Sequence, residues 1–265
     1  MCTAQTLIFE ILEEIMVPTI DAAPASLGTW ASARAASTSP ALTDVSRPPA
    51  RVELSGRVLV NWWAKDLGLL ENEFSLEPGM RVLFRTPAHW RTLPLVLAAL
   101  SLGATVLESG DIAAADVDLL ITDQPTAADA LDAPEILAVT LQTLAVDFGS
   151  ALPAGVIDHA AEVRGYPDRL DLQEATASQA RWVAGAGTAH SQGTLSEFLA
   201  LAAAEGAAGA ASATTSLPAA SGALLATAQL LAAGSAGSVV LHDGAAPAEA
   251  LSAQERITRA GGVAL

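Results

Sequence analysis

Apolar positions along this chain keep two rhythms in alternation. Between residues 55 and 74, Leu59, Trp63, Leu67, Leu70 and Phe74 recur at spacings of 4, 4, 3 and 4, one stripe of an amphipathic helix that Ser55 is placed to cap. Residues 51–54 (RVEL) before it read as a short strand. After the turn at Glu77-Pro78-Gly79, Arg81–Thr86 (RVLFRT) reads as a strand. A helix over about His89–Leu102 follows, with Pro94 placing its start near Thr92. Gly103 ends that helix before a strand over 104–108. A strand–helix–strand unit of this kind requires parallel pairing and a right-handed crossover. The grammar continues with strands at 117–122, 136–141, 181–184 and 239–242, and with helices at 126–132, 158–164, 195–205, 222–233 and 247–259. Residues 263–265 read as the start of a further strand. The pattern predicts an α/β fold, layered, with a mainly parallel sheet flanked by helices.

Two N-terminal segments break the rhythm. Leu7, Ile8, Ile11, Leu12 and Ile15 predict an amphipathic helix within residues 1–20. Residues 21–50 are rich in Ala, Ser, Thr and Pro with no period, and predict a partly disordered loop or linker; 206–216 is expected to be mobile in part. Residues 51–265 then form a single domain, with a break near 150–180 if it divides into two subdomains.

Charge changes the picture most. Of 265 residues, 13 are basic and 29 acidic, a formal charge of −16 that repels phosphate backbones and anionic lipid, so neither nucleic acid nor membrane is an expected partner. No basic segment precedes the apolar N-terminal stretch, and no window is apolar enough to span a bilayer, so the expected location is cytoplasmic. A single cysteine, Cys2, rules out a disulfide framework and any multi-cysteine metal site. Lys65 is the only lysine among those basic residues. Chemistry that needs a lysine must use it.

Most motifs for known chemistries are absent. Lys65 is followed by Asp66, so there is no Walker A loop. Gly185-Ala186-Gly187 follows a strand, but His190 stands where a dinucleotide fingerprint needs its third glycine. Gly234-Ser235-Ala236-Gly237 has the wrong spacing for a nucleophile elbow. The four histidines do not pair at helical spacing; His89 and His159 read as residues at helix N-termini and His242 as a strand end. The carboxylates are scattered, with no acid/base pair evident. Trp62, Trp63 and Trp90 read as core anchors. One segment remains, RWVAGAGTAHSQGTLSEFL at 181–199: a strand, a Gly/Thr/Ser-rich loop and a helix, an arrangement that can hold phosphate on backbone N–H groups and a helix N-terminus. A plain strand-to-helix connection is the other reading.

The order of elements from Val52 to Val106 resembles the N-terminal subdomain of the acyl-adenylate-forming (AMP-binding) enzymes: strand plus Leu-Ser, long helix, Pro-Gly-x-Arg-Val, strand, a loop with Pro and Trp, helix, and Gly-Ala into a strand. More narrowly, NWWAK at 61–65 and PAHWRT at 87–92 look like a short, uncharacterised bacterial family with twilight similarity to those enzymes. The family's phosphate loop, Thr-Ser-Gly-Thr-Thr-Gly-x-Pro-Lys-Gly, aligns with 187–193. The resemblance implies a remnant phosphate loop of Gly185, Gly187, Thr188 and Gly193, with the Pro-Lys pair lost and His190 at the second glycine. The family's adenine motif, ribose-binding Asp, hinge and C-terminal catalytic Lys have no counterpart in these residues. Without those charges, adenylation loses stabilisation typically worth several kcal/mol. Two readings follow from the resemblance: a catalytically silent binding or interaction module without cofactor or metal, pairing with itself or another protein, or an enzyme that binds ATP, AMP or CoA at 185–193, completed by a partner.

Overall fold

The computed structural model describes residues 26–186, 189–210, 213–244, 247 and 249–260. The first helix expected, within 1–20, and the strand at 263–265 lie outside these residues. Where the sequence predicted one central sheet, two are present, and both are mostly parallel. The larger is built from β3 (Arg81–Arg85), β4 (Thr105–Ser109), β5 (Leu119–Thr122), β6 (Ile136–Ala138), β7 (Val156–Asp158), β8 (Arg181–Ala186) and β9 (Ala189–Thr194), in the order β7-β6-β5-β3-β4-β8-β9. Every pairing in it is parallel except β8 with β9. The smaller runs β12-β10-β11-β1-β2, from β1 (Pro40–Asp44), β2 (Val52–Ser55), β10 (Thr214–Pro218), β11 (Ser238–His242) and β12 (Arg259–Ala260).

Three helices lie between the sheets and supply the main core: α2 (Gly56–Phe74), α3 (Thr92–Ser101) and α7 (Ala223–Ala232). Every residue of α3 is buried, which explains why its sequence is apolar all round and shows no stripe. Pro94 sits in its first turn, where a missing N–H breaks no hydrogen bond. Leu59, Trp63, Leu70 and Phe74 of the α2 stripe are buried as their spacing requires, and Leu67 packs at the margin. On the other face of the large sheet, Leu83, Leu107, Leu120 and Ile136 pack under short 3₁₀ turns instead of helices. The helix expected at 126–132 is one of these turns, Ala130–Asp132, in a stretch bracketed by Pro125 and Pro134.

Residues 21–50 are not an irregular linker through their described part. Helix α1 (Leu27–Ala35) and strand β1 occupy most of it, and β1 is interior to the small sheet, between β11 and β2. Composition misled here because few large side chains are needed: Leu27, Trp30 and Leu42 are buried, and parallel pairing with β11 supplies the backbone order. Arg34 fastens the helix, its buried guanidinium donating to the carbonyls of Ser235 (3.3 Å) and Gly237 (2.9 Å). At the end of 206–216, β10 begins and buries Thr215 and Ser216. The long helix expected at 247–259 is cut to α8 (Glu249–Gln254). Arg256 takes a left-handed conformation (φ 55°), and β12 then pairs with β10.

Ser55 caps α2 as its position predicted, its hydroxyl accepting from the Val58 N–H at 3.3 Å. Ser55→Ala is expected to lower stability by about 1 kcal/mol, read from the midpoint of urea unfolding with the slope unchanged.

Candidate functional site

The segment compared with a phosphate loop folds as a β-hairpin. β8 leaves the sheet at Ala186, Gly187 and Thr188 lie outside the described residues, and β9 returns antiparallel, pairing Gly185 with His190 and Trp182 with Gly193. The sequence placed a loop here that feeds a helix. Instead, α6 (Leu195–Glu205) starts at the far end of β9, about 17 Å of strand from the hairpin tip. Its N-terminus closes on itself: Thr194 accepts from the Glu197 N–H at 3.2 Å, and the Glu197 carboxylate accepts from the Thr194 N–H at 2.7 Å. The Thr194 N–H and the Thr194 hydroxyl, both donating to it, hold the Glu197 carboxyl below its usual range.

The matched glycines have different reasons. Gly185 adopts φ 127°, a conformation that side chains resist, at the point where β8 leaves its pairing with Ser109 of β4. Gly193 lies under the cross-strand indole of Trp182; an added Cβ would come within 2.8 Å of the indole nitrogen and 2.9 Å of the Glu197 carboxylate. Packing alone accounts for Gly193.

The helix N-terminus at the same end of the large sheet as the hairpin tip belongs to α7, and it is occupied. Glu108, near the end of β4, sends its carboxylate into the α7 N-terminus, accepting from Ala223 N–H at 2.6 Å and from Leu224 N–H at 3.3 and 3.2 Å. Gly222 enters that helix with φ 89°, and a Cβ there would stand 2.5 Å from the carboxylate. Burial outweighs these donors and pushes the Glu108 carboxyl up to about 7. The sequence reading missed Glu108, although a carboxylate ending the apolar run Val106-Leu107 of a buried strand was a visible signal.

A second polar group lies in the core. The His159 Nε2 and Asp66 Oδ1 atoms are 2.7 Å apart, with both residues 1% exposed or less. Asp66 sits on the apolar face of α2 three residues after Trp63, a spacing that marked it as buried. Burial raises its carboxyl, opposed by His159 and by Arg91. His89 lies 3.6 Å from Asp44, but burial depresses its imidazole to about 4, so it is neutral at neutral pH. Arg91 stacks over the Trp90 ring at 4.2 Å and donates to the Ala145 carbonyl at 2.9 Å. The Asp66–His159 pair is closed to solvent and adjoins no hydroxyl or thiol nucleophile in its hydrogen bonds, so its chemistry is internal pairing. His159 opens the short helix α4 (His159–Glu162), and His242 ends β11, both where the sequence put them. Trp63 and Trp90 are buried, and Trp62 packs edge-on against Trp90. Lys65 donates to the Tyr166 carbonyl at 2.5 Å. Among the described residues no group of three or more acidic, His or Cys side chains could hold a metal ion, and no helix is long and apolar enough to cross a membrane.

No family model matches the sequence. A TIGR03089 family protein of Mycobacterium tuberculosis is 36% identical over 124 residues, 45% of this chain and 50% of that protein. Among solved structures, the Brucella canis acyl-CoA synthetase superposes with a TM-score of 0.60 at 16% identity, covering 78% of this chain and 41% of the other. The Mycobacterium tuberculosis fatty acyl CoA synthetase does so with a TM-score of 0.60 at 13% identity, covering 89% and 49%. The chain therefore spans about half the length, or less, of these relatives. Its fold is that of part of an acyl-CoA synthetase.

Proposed function

We propose that this chain is a degenerate relative of the acyl-adenylate-forming enzymes, catalytically silent, that acts as a binding or interaction module. The observation that carries this reading is the carboxylate of Glu108 in the N-terminus of α7. A helix N-terminus beside a glycine turn is an anion site because its N–H groups are unpaired and its dipole is positive. Here a protein carboxylate already takes those donors, and its charge, when ionised, opposes an incoming phosphate. The lysine that phosphate transfer calls for is also spent elsewhere, on the Tyr166 carbonyl. The left-handed Gly185 favours a second reading, a reduced site at Gly185, Gly187, Thr188 and Gly193 that binds a nucleotide or CoA. Association with a second copy or another protein fits the first reading, since β9 and β2 end their sheets without a further strand among the described residues.

Purified protein is expected to exchange no pyrophosphate into ATP with any carboxylic acid, and its melting temperature is expected to be unmoved by millimolar ATP or CoA. Substrate-dependent exchange above background overturns the silent reading. Saturable nucleotide binding that Gly187→Val abolishes establishes the second.

A further inference from the structure

The cavity best placed for a ligand is not at the hairpin. It is an open cleft of about 600 Å³ at the carboxyl ends of β5 and β6, walled by the segment after β6 and faced by the β1–β2 turn of the other sheet. That volume lies within the range of about 300–1,000 Å³ usual for small-molecule sites. Its position follows from topology. The chain goes from β3 to β4 on one side, then returns to place β5 on the other side of β3. Connections that leave a parallel sheet in opposite directions open a crevice at the carboxyl ends of the strands, the usual place for a ligand in open α/β sheets. The cavity opens beside that crevice, over the ends of β5 and β6, and Asp123, the residue immediately after β5, stands on its wall. The hairpin strand β8 is three strands from β5, so this site is separate from the remnant phosphate loop and does not rest on the reading above.

Two opposite charges line the cavity and do not meet. Burial raises the Asp123 carboxyl, and the nearby Arg47 guanidinium opposes that shift, yet the two form neither an ion pair nor a hydrogen bond, and the guanidinium has no hydrogen-bond partner among the described residues. Most of the chain's other cations are engaged with carboxylates or carbonyls. Thr140, 4% exposed, accepts from the Gln142 N–H at 3.3 Å and keeps its own O–H free to donate. Phe148 gives the wall an apolar ring. The wall is held in place from behind: Arg91 and Arg164 both donate to the Ala145 carbonyl at 2.9 Å, and Phe148 N–H donates to Asp158 at 2.7 Å. A site fixed before binding loses less entropy on binding.

We infer that this cavity binds a small zwitterion, an amino acid or a dipeptide with both charges free, its carboxylate on Arg47 and its ammonium on Asp123. A simple anion would face Asp123 and a simple cation would face Arg47. Only a molecule with both charges satisfies both walls, and the guanidinium fork suits a carboxylate in particular.

Saturation-transfer NMR of the intact protein with the twenty free L-amino acids and with Ala-Ala dipeptide tests this. At least one member is expected to bind, and its N-acetyl and its C-terminal amide forms, probed against unaltered protein, should each bind about tenfold or more weakly. Arg47→Met and Asp123→Asn should each weaken binding by a similar factor, while Arg57→Met, outside the cavity, leaves it unchanged. The inference fails if no member of the panel binds, if the N-acetyl or amide form binds as well as the zwitterion, or if both cavity variants bind as the parent does. ATP binding lost on Gly187→Val would bear on the hairpin alone.

Discussion

His159→Ala is expected to destabilise the protein by about 3–5 kcal/mol at neutral pH, because it leaves the buried Asp66 carboxylate without its partner. Urea unfolding at pH 7 and at pH 5 gives the measurement. The sign of the pH effect follows from Asp66 itself. Burial already raises its folded-state pKa, so ionised Asp66 favours the unfolded chain. Removing His159 raises it further. The deficit of the variant is therefore largest above the folded pKa and shrinks as acid neutralises the carboxyl. Replacing both partners, Asp66→Leu with His159→Leu, should recover most of the loss, since an apolar pair of similar volume removes both the charge and its unmet desolvation. A deficit independent of pH, and equal in the double variant, would mean that lost volume and not charge is responsible.

Glu108→Gln is expected to change how stability depends on pH more than stability itself. The folded protein holds this carboxyl up to about 7, against 4.5 ordinarily. A raised pKa means that the contribution of the group is complete below the unfolded value and is lost as pH rises through the folded one. Between pH 4.5 and 7 the parent should therefore lose roughly 3 kcal/mol on account of Glu108, and the variant should not. The two are expected to melt together near pH 4.5 and to separate above it, with Glu108→Gln the more stable at pH 8. Parallel melting curves across that range would remove the burial argument, and with it the carboxylate as the occupant of the α7 N-terminus.

The strand–helix alternation was legible because each element carried its own local signal: the α2 stripe, the Ser55 cap, and Gly103 between α3 and β4. What the sequence hid depended on partners far away in the chain. β1 orders an Ala/Ser-rich segment only because β11, some 200 residues later, supplies its ladder. β12 replaces the end of an expected helix because β10 has an open edge there. The hairpin at 185–193 was hidden for a related reason: Gly, Ser and Thr are turn formers by composition, and the pairing of Trp182 with Gly193 that makes them a strand is not written in either segment alone. For the polar core, Asp66 advertised burial by its helical position, but its partner His159 sat in a loop-rich stretch and could not be assigned to it. The cavity is the least legible feature, since Arg47, Asp123 and Thr140 come from three separate connections of two sheets.

Arginine supplies nearly all of the positive charge, and much of it is aimed at main-chain oxygen. Arg34 reaches Ser235 and Gly237, Arg91 and Arg164 share Ala145, and Arg259 reaches Ala208. A carbonyl is a dipole without net charge, so dissolved ions compete for it far less than for a carboxylate. Added salt screens the mutual repulsion of the acidic surface and leaves these ties intact. These ties act as splints that brace the loops from within, while the exposed ion pairs of Arg51 with Glu53 and Glu255 and of Arg85 with Asp129 are the contacts that salt weakens.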